Sequence, residues 1–272
     1  MVRNTFSPAR AWRPAVVARL ARTLGVEIHS SALFATNEFP LHTLNQAHIS
    51  VGSPLGDSAQ IHGRVIAGFA WQHMKAAITF RDHVAALETA NVGKQFGSFF
   101  EDIRSYGSGC ILSAVSSLEA QINECFMVPG GPLRTQLTNF ESQFWSDRGI
   151  ERKAPLEKYQ IALKMLGQPR LDQQDDPFKS MWALVELRNA LVHYKPTWDP
   201  DRKRKVNMIE VLSGKYDMSP FPDASADFVT MRSMSAASMR WVVATTLRFM
   251  YEFHQRTSAY EHRFAGFRRF DA

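Results

Sequence analysis

The sequence predicts an all-α protein: a helical bundle of about four principal helices, with additional short helices and a long N-terminal connection. Three observations predict it. Apolar residues recur at three- and four-residue steps over long stretches beyond residue 64. Pro and Gly gather mostly between those stretches. No run of alternating segments joined by hairpin signals is present.

Taken in order, a first helix is expected from Pro8 or Ala9 to about Leu24, where Trp12, Val16, Leu20 and Leu24 recur every four residues. Ser30–Gly63 is rich in Ser, His, Gly and Pro and reads as a connection. One of that length is unusual inside a compact domain, so it is either a wrapping arm or a functional loop. Val65–Thr89 has few breakers and carries Ile66, Phe69, Ala70, His73, Ala77, Phe80, Val84 and Leu87 at helical steps. A second long helix is expected over 96–127, with Gly107 and Gly109 either bending it or admitting a close neighbour. Pro129-Gly130-Gly131-Pro132 stops it.

Shorter helices are expected over Arg134–Asp147 and Pro155–Leu166, the latter with Pro155 in its first turn and Gly167 past its end. Asp176 suits an N-cap and Pro177 a first position for a helix through about His193, which Pro196 ends. Thr197–Lys205 reads as a loop, Val206–Leu212 as a short helix or strand, and Ser213–Ala226 as turns. A last long helix runs from near Ser235 to about Arg256. The organisation is therefore an N-terminal helix and arm (1–63), a bundle (64–256) and a basic, aromatic tail (257–272).

With 45% hydrophobic and 21% charged residues, the chain is excluded from the collagen-like, low-complexity and wholly disordered classes. The net charge of +6 is too small to establish a polyanionic partner, although the basic excess lies at the two ends. Cys110 and Cys125 fall on one expected helix, fifteen residues or roughly 22 Å apart, and cannot bridge each other. Their use points to a reducing compartment, so a cytoplasmic location is expected. No membrane span is visible, and no membrane partner is expected: the longest uncharged run, Phe39–Gly56, is broken by Pro40, Gly52 and Pro54. The Arg-rich N-terminus reads either as a surface-docked helix or as an organellar presequence.

The most informative stretch is Glu186–Pro196. On an ideal helix Leu184, Leu187 and Leu191 form a buried stripe, while Glu186, Asn189 and His193 fall within about 60° on another face. Asn189 stands four residues before His193, within reach to orient its imidazole. Arg188 lies about 140° round from His193, so one straight helix does not join them. A structural role is equally simple to state: His193 at a helix C-terminus, Arg188 paired with an acid on a neighbour, Asn189 linking helices.

Arg188-Asn189-Ala190-Leu191-Val192-His193 resembles the R-x4–6-H signature of the HEPN superfamily, including the Asn after its Arg. Tyr194, Lys195 and Pro196 follow as in many bacterial relatives, and the stretches Ser113–Asn123 and Ala236–Trp241 also look like such proteins. The resemblance covers roughly 65–255. It implies a homodimeric bundle in which Arg and His from two protomers share a cleft and cleave RNA without metal or cofactor. His193 would move protons, Arg188 would face the phosphate, and Asn189 would orient the imidazole or donate to a phosphate oxygen. Glu119, Asn123, Glu186 and Tyr194 would support that site from behind, Glu119 and Asn123 alternatively serving only to link helices; Glu124 reads as solvated. The resemblance also implies a bacterial defence or toxin–antitoxin setting, with a cognate antitoxin or other protein partner. Other members lack activity and act as nucleotide-binding or scaffolding bundles, which is the alternative for this chain.

Lys195 and the run Arg202, Lys203, Arg204, Lys205 follow the motif and are candidate RNA contacts, or a solvated loop. The tail Arg263–Phe270 interleaves Arg with aromatics, as single-strand binders do, or docks its Phe residues on the body. No metal-ligand, phosphate-loop, serine-nucleophile or dinucleotide motif is present.

Overall fold

The structure, a computed structural model, describes residues 68–127, 133–134, 149–195 and 203–257, with the backbone alone for 203–205. The expected first helix, the connection 30–63, nearly all of 134–147, and the tail lie outside the described residues. What is described is all-α, without a strand. In chain order the helices are α1 (Ala70–Asn91), α2 (Phe99–Met127), α3 (Pro155–Met165), α4 (Phe178–Val192), α5 (Lys203–Leu212) and α6 (Ala236–Thr257).

α1 and α2 form an antiparallel hairpin whose turn contains Gly93 at φ +79°, a left-handed conformation that a Cβ would strain. α6 lies across both, α4 and α3 pack on α2, and α5 packs on α4. α2 is thus the central helix. Phe100, Ile103, Cys110, Ile111, Ala114, Val115, Leu118, Ile122 and Phe126 are all sealed from solvent. The two glycines answer the question of bend or close approach. The helix is continuous through both. A Cβ at Gly107 would meet Met234 Sδ at 2.8 Å, and one at Gly109 the Phe80 ring at 3.0 Å. Each therefore lets a neighbour sit closer than alanine would.

The helix ends show where local signals sufficed. Past α3, Gly167 takes φ +67° while its N–H returns to Lys164 O (3.1 Å) and Gln168 N–H to Leu163 O (2.9 Å). These are the paired bonds of a Schellman ending. α6 begins on Ser235, whose Oγ accepts from Ser238 N–H at 3.0 Å. Glu88 of α1 adds a second acceptor, for Ala236 N–H at 2.8 Å.

Other boundaries differ from expectation. α1 begins at Ala70, five residues beyond the expected start, and its own N-cap residue Phe69 offers no side-chain acceptor. Glu124 of α2 supplies it instead, accepting from Phe69 N–H (2.6 Å) and Ala70 N–H (2.9 Å). Glu124 is therefore a partly buried cap rather than the expected solvated residue. α4 begins at Phe178, and Asp176 is not its backbone cap. The Asp176 carboxylate accepts instead from the Ser180 hydroxyl and from Lys215 Nζ (2.8 Å). α5 starts at Lys203, inside the expected loop, because Lys and Arg favour helix and buried Met208 and Leu212 anchor it. A π-turn, Phe228–Arg232, precedes α6 and seats Phe228 and Val229 in the core; Asp227 caps it through Thr230 N–H at 2.8 Å.

Cys110 and Cys125 are buried and free. Burial pushes the Cys110 thiol well above its ordinary range, so it is inert. Among the described residues no helix is long and apolar enough to cross a membrane.

Two predictions follow from these ends. Glu124→Ala should lower stability by about 1 kcal/mol, read as a lower urea midpoint, because two backbone donors lose their acceptor; an unchanged midpoint would discard the cap. The second concerns pH. Lys215 and then Ser180 donate to Asp176 and hold its carboxyl below the ordinary value. A depressed folded value stabilises above the unfolded pKa of about 3.9 and stops doing so as pH falls through the folded one. Asp176 is half exposed, so its share is under about 1 kcal/mol. Asp176→Asn should therefore be less stable than wild type at neutral pH, with the difference closing in acid, as urea melts at several pH values would report.

Candidate functional site

The motif occupies the last two turns of α4. Leu184 and Leu187 are buried and Leu191 is partly so, which anchors this end of the helix on the core. His193 sits at the C-cap, its N–H donating to Asn189 O at 2.9 Å. Its backbone turns out of the helix (φ −103°, ψ 30°), and His193, Tyr194 and Lys195 are all exposed. That turn has a consequence for Asn189. Among the described residues its side chain makes no hydrogen bond to the His193 ring, because a cap residue does not continue the four-residue stacking of the helix. The expected orientation of the imidazole by Asn189 is therefore not made within one chain. Glu186, expected on the same face as His193, is buried two turns earlier.

Arg188 faces α2. Its side chain is 24% exposed, and Nη2 stands 3.8 Å from Glu119 Oε2. That is an ion pair but too long for a hydrogen bond. The Nε atom is shielded from solvent and has no hydrogen-bond partner. Four residues along α2, Asn123 accepts from Lys158 Nζ of α3 at 2.8 Å. Glu119 and Asn123 thus both reach neighbouring helices, Glu119 toward the motif itself. Burial lowers the Lys158 pKa, with Glu119 and then Glu151 opposing that shift.

Lys158 had not been expected in this cluster. The signal was in the sequence: Lys158 falls three residues after Pro155 and four before Ala162, on the buried side of a short helix. A lysine in that register needs a partner, and Asn123 provides one. Beside it, Tyr159 is sealed in the core, its hydroxyl bonded to Leu118 O (3.0 Å) and to Gln121 Oε1. The Gln121 amide then meets His254 Nε2 at 2.9 Å. Burial pushes the Tyr159 phenol well above its ordinary range, so it acts as a hydrogen-bond donor.

An open groove of about 250 Å³ lies beside the C-terminal part of α4, lined by Glu101, Arg104, Ser105, Ser108, Leu191 and Thr230. Arg104 is engaged there, donating to Thr230 O (3.1 Å) and to Glu101 (3.2 Å). Of the motif only Leu191 lines the groove. Lys203, Arg204 and Lys205 open α5, but their side chains and Arg202 lie outside the described residues. Among the described residues no three His, Cys, Asp or Glu side chains are grouped to hold a metal.

No protein-family model, curated protein or solved structure matches the chain.

Tyr159→Phe keeps the ring and removes the donor to Leu118 O and Gln121 Oε1. It should cost about 1–3 kcal/mol in urea unfolding; a neutral result would show that neither acceptor depends on the phenol.

Proposed function

We propose that this chain is a HEPN-like, metal-independent endoribonuclease that acts as a homodimer in the cytoplasm. One observation carries the reading: among the described residues neither chemistry-bearing group of the motif is held by a hydrogen bond, and Arg188 has only the long ion pair to Glu119. The His193 ring is exposed at the end of α4, and the Arg188 guanidinium makes no hydrogen bond among the described residues. A histidine and an arginine in that condition can meet a substrate without first breaking an internal hydrogen bond.

The chemistry asks little more. The RNA's 2′-oxygen attacks the adjacent phosphorus, the bond to the 5′-oxygen breaks, and a cyclic phosphate and a free 5′-hydroxyl result. One imidazole removes the 2′-hydroxyl proton and another supplies a proton to the leaving oxygen, roles an imidazole fills because its two ring nitrogens can accept and donate. Arg188's planar fork meets the charge that develops on the phosphate oxygens. Because Arg188 and His193 point to different sides of α4, a second copy related by a two-fold axis would supply the complementary pair. Lys195, exposed beside His193, would contact the RNA backbone.

A second reading has its own observation. Arg188 is three-quarters buried against α2 beside Glu119, as an interhelical link in a non-catalytic bundle that binds nucleotide or a protein would be. The two separate cleanly. Incubated with single-stranded RNA in EDTA, wild type should cleave while His193→Ala loses at least about a hundredfold in rate, the usual scale for general acid–base catalysis. Equal residual cleavage in the two would end the enzyme reading. Arg188→Gln should chiefly abolish turnover if the enzyme reading holds, and chiefly lower the melting temperature if the bundle is only structural.

A further inference from the structure

Arginine offers five N–H donors, and a partly buried arginine ordinarily engages several of them. Arg188 engages none among the described residues. Its Nε is shielded from water without an acceptor, an arrangement that costs free energy relative to one in which the fork is hydrogen-bonded. The Glu119 carboxylate compensates charge at 3.8 Å but not hydrogen bonding. It is itself 41% exposed, so little holds it in place. A second cation, on α3, feels the same Glu119 carboxylate. Lys158, only 2% exposed, is held by Asn123 one turn along α2 from Glu119. The carboxylates whose charges reach Lys158 are Glu119 and Glu151, and Glu151 is exposed on the turn before α3.

We propose that Arg188, where α4 packs on α2, is a phosphoryl-oxyanion site for which the Glu119 carboxylate is a built-in competing anion. A phosphate or phosphodiester group offers what Glu119 does not: two oxygens spaced to accept from one edge of the guanidinium at short range. It would take the place of Glu119 at the Nη end, and the flexible arginine stem would then turn its Nε edge to the second oxygen. Glu119 sets the threshold, since only an anion that outcompetes it releases Arg188. The inference rests on Arg188 as the phosphate-facing cation of the reading above, though not on turnover at His193.

The test is a binding titration of the full chain at fixed ionic strength, with inorganic phosphate in one arm and a short 2′-O-methyl oligoribonucleotide, which cannot be cleaved, in the other. Glu119→Gln should tighten binding about fivefold, as removal of one close, half-screened charge allows. Glu119→Asp, which draws the carboxylate back, should fall between Gln and wild type. Arg188→Gln should lose the binding. Tightening in both arms assigns the RNA backbone as ligand, and tightening with phosphate alone assigns a free phosphate. Affinity unchanged in Glu119→Gln, or retained in Arg188→Gln, would overturn the proposal. So would an equal gain in the control Glu151→Gln, which would mean only a diffuse field. If wild type fails to cleave RNA while the Glu119 effect persists, the ribonuclease reading falls and this one stands. Cleavage that depends on His193 with no Glu119 effect would remove this inference alone.

Discussion

The enclosure of α2 governs the rest of the structure. A helix of 29 residues packed by α1, α3, α4 and α6 buries thirteen of them. Two constraints follow. Neighbours must come close without voids, which Gly107 and Gly109 permit by leaving room for Met234 and Phe80. And each polar side chain that α2 takes out of water must find a partner, because burial without one is costly.

Most of them do, and the partners tie the bundle together. Ser117 donates to Ala70 O at 2.7 Å, Gln121 joins Tyr159 to His254, Asn123 accepts from Lys158, and Glu124 caps α1. Glu119 is the contrast. It faces Arg188 at a distance that balances charge without directing a hydrogen bond. The contact at the motif is thus looser than those that Ser117, Gln121, Asn123 and Glu124 make. Arg188 Nε is one of a few buried polar atoms without a hydrogen-bond partner among the described residues, and it is the one that falls in the motif. The motif is also where the chain brings an arginine and an exposed histidine to the end of one helix.

Much of this was legible beforehand. The helical periods of 96–127 and 155–166 locate α2 and α3 to within a few residues, since burial of one stripe is written every three or four positions. Gly167 and Ser235 mark their helix ends because those caps use neighbours in sequence. The motif itself was readable, as was Glu119 as a candidate to reach it. Less legible were the starts of α1, α4 and α5 and the π-turn. At each, a local signal was absent or was overridden: Asp176 had the right side chain for a cap but turned to Ser180 and Lys215.

By itself the sequence determined the class, an all-α bundle, the stripes that face inward, and a cluster of Arg188, Asn189 and His193 near one helix end. Only the tertiary structure decided the partners. Glu124 meets the start of α1 across 55 residues, and Glu88 meets α6 across 148. It decided likewise that Lys158 joins Asn123, that Arg188 faces Glu119, and that His193 leaves the helix for solvent. The reason is physical. Periodicity records whether a position is buried, a property of one helix and its surroundings on average. Which donor a buried acceptor meets depends on how separate helices cross, and no single segment carries that information.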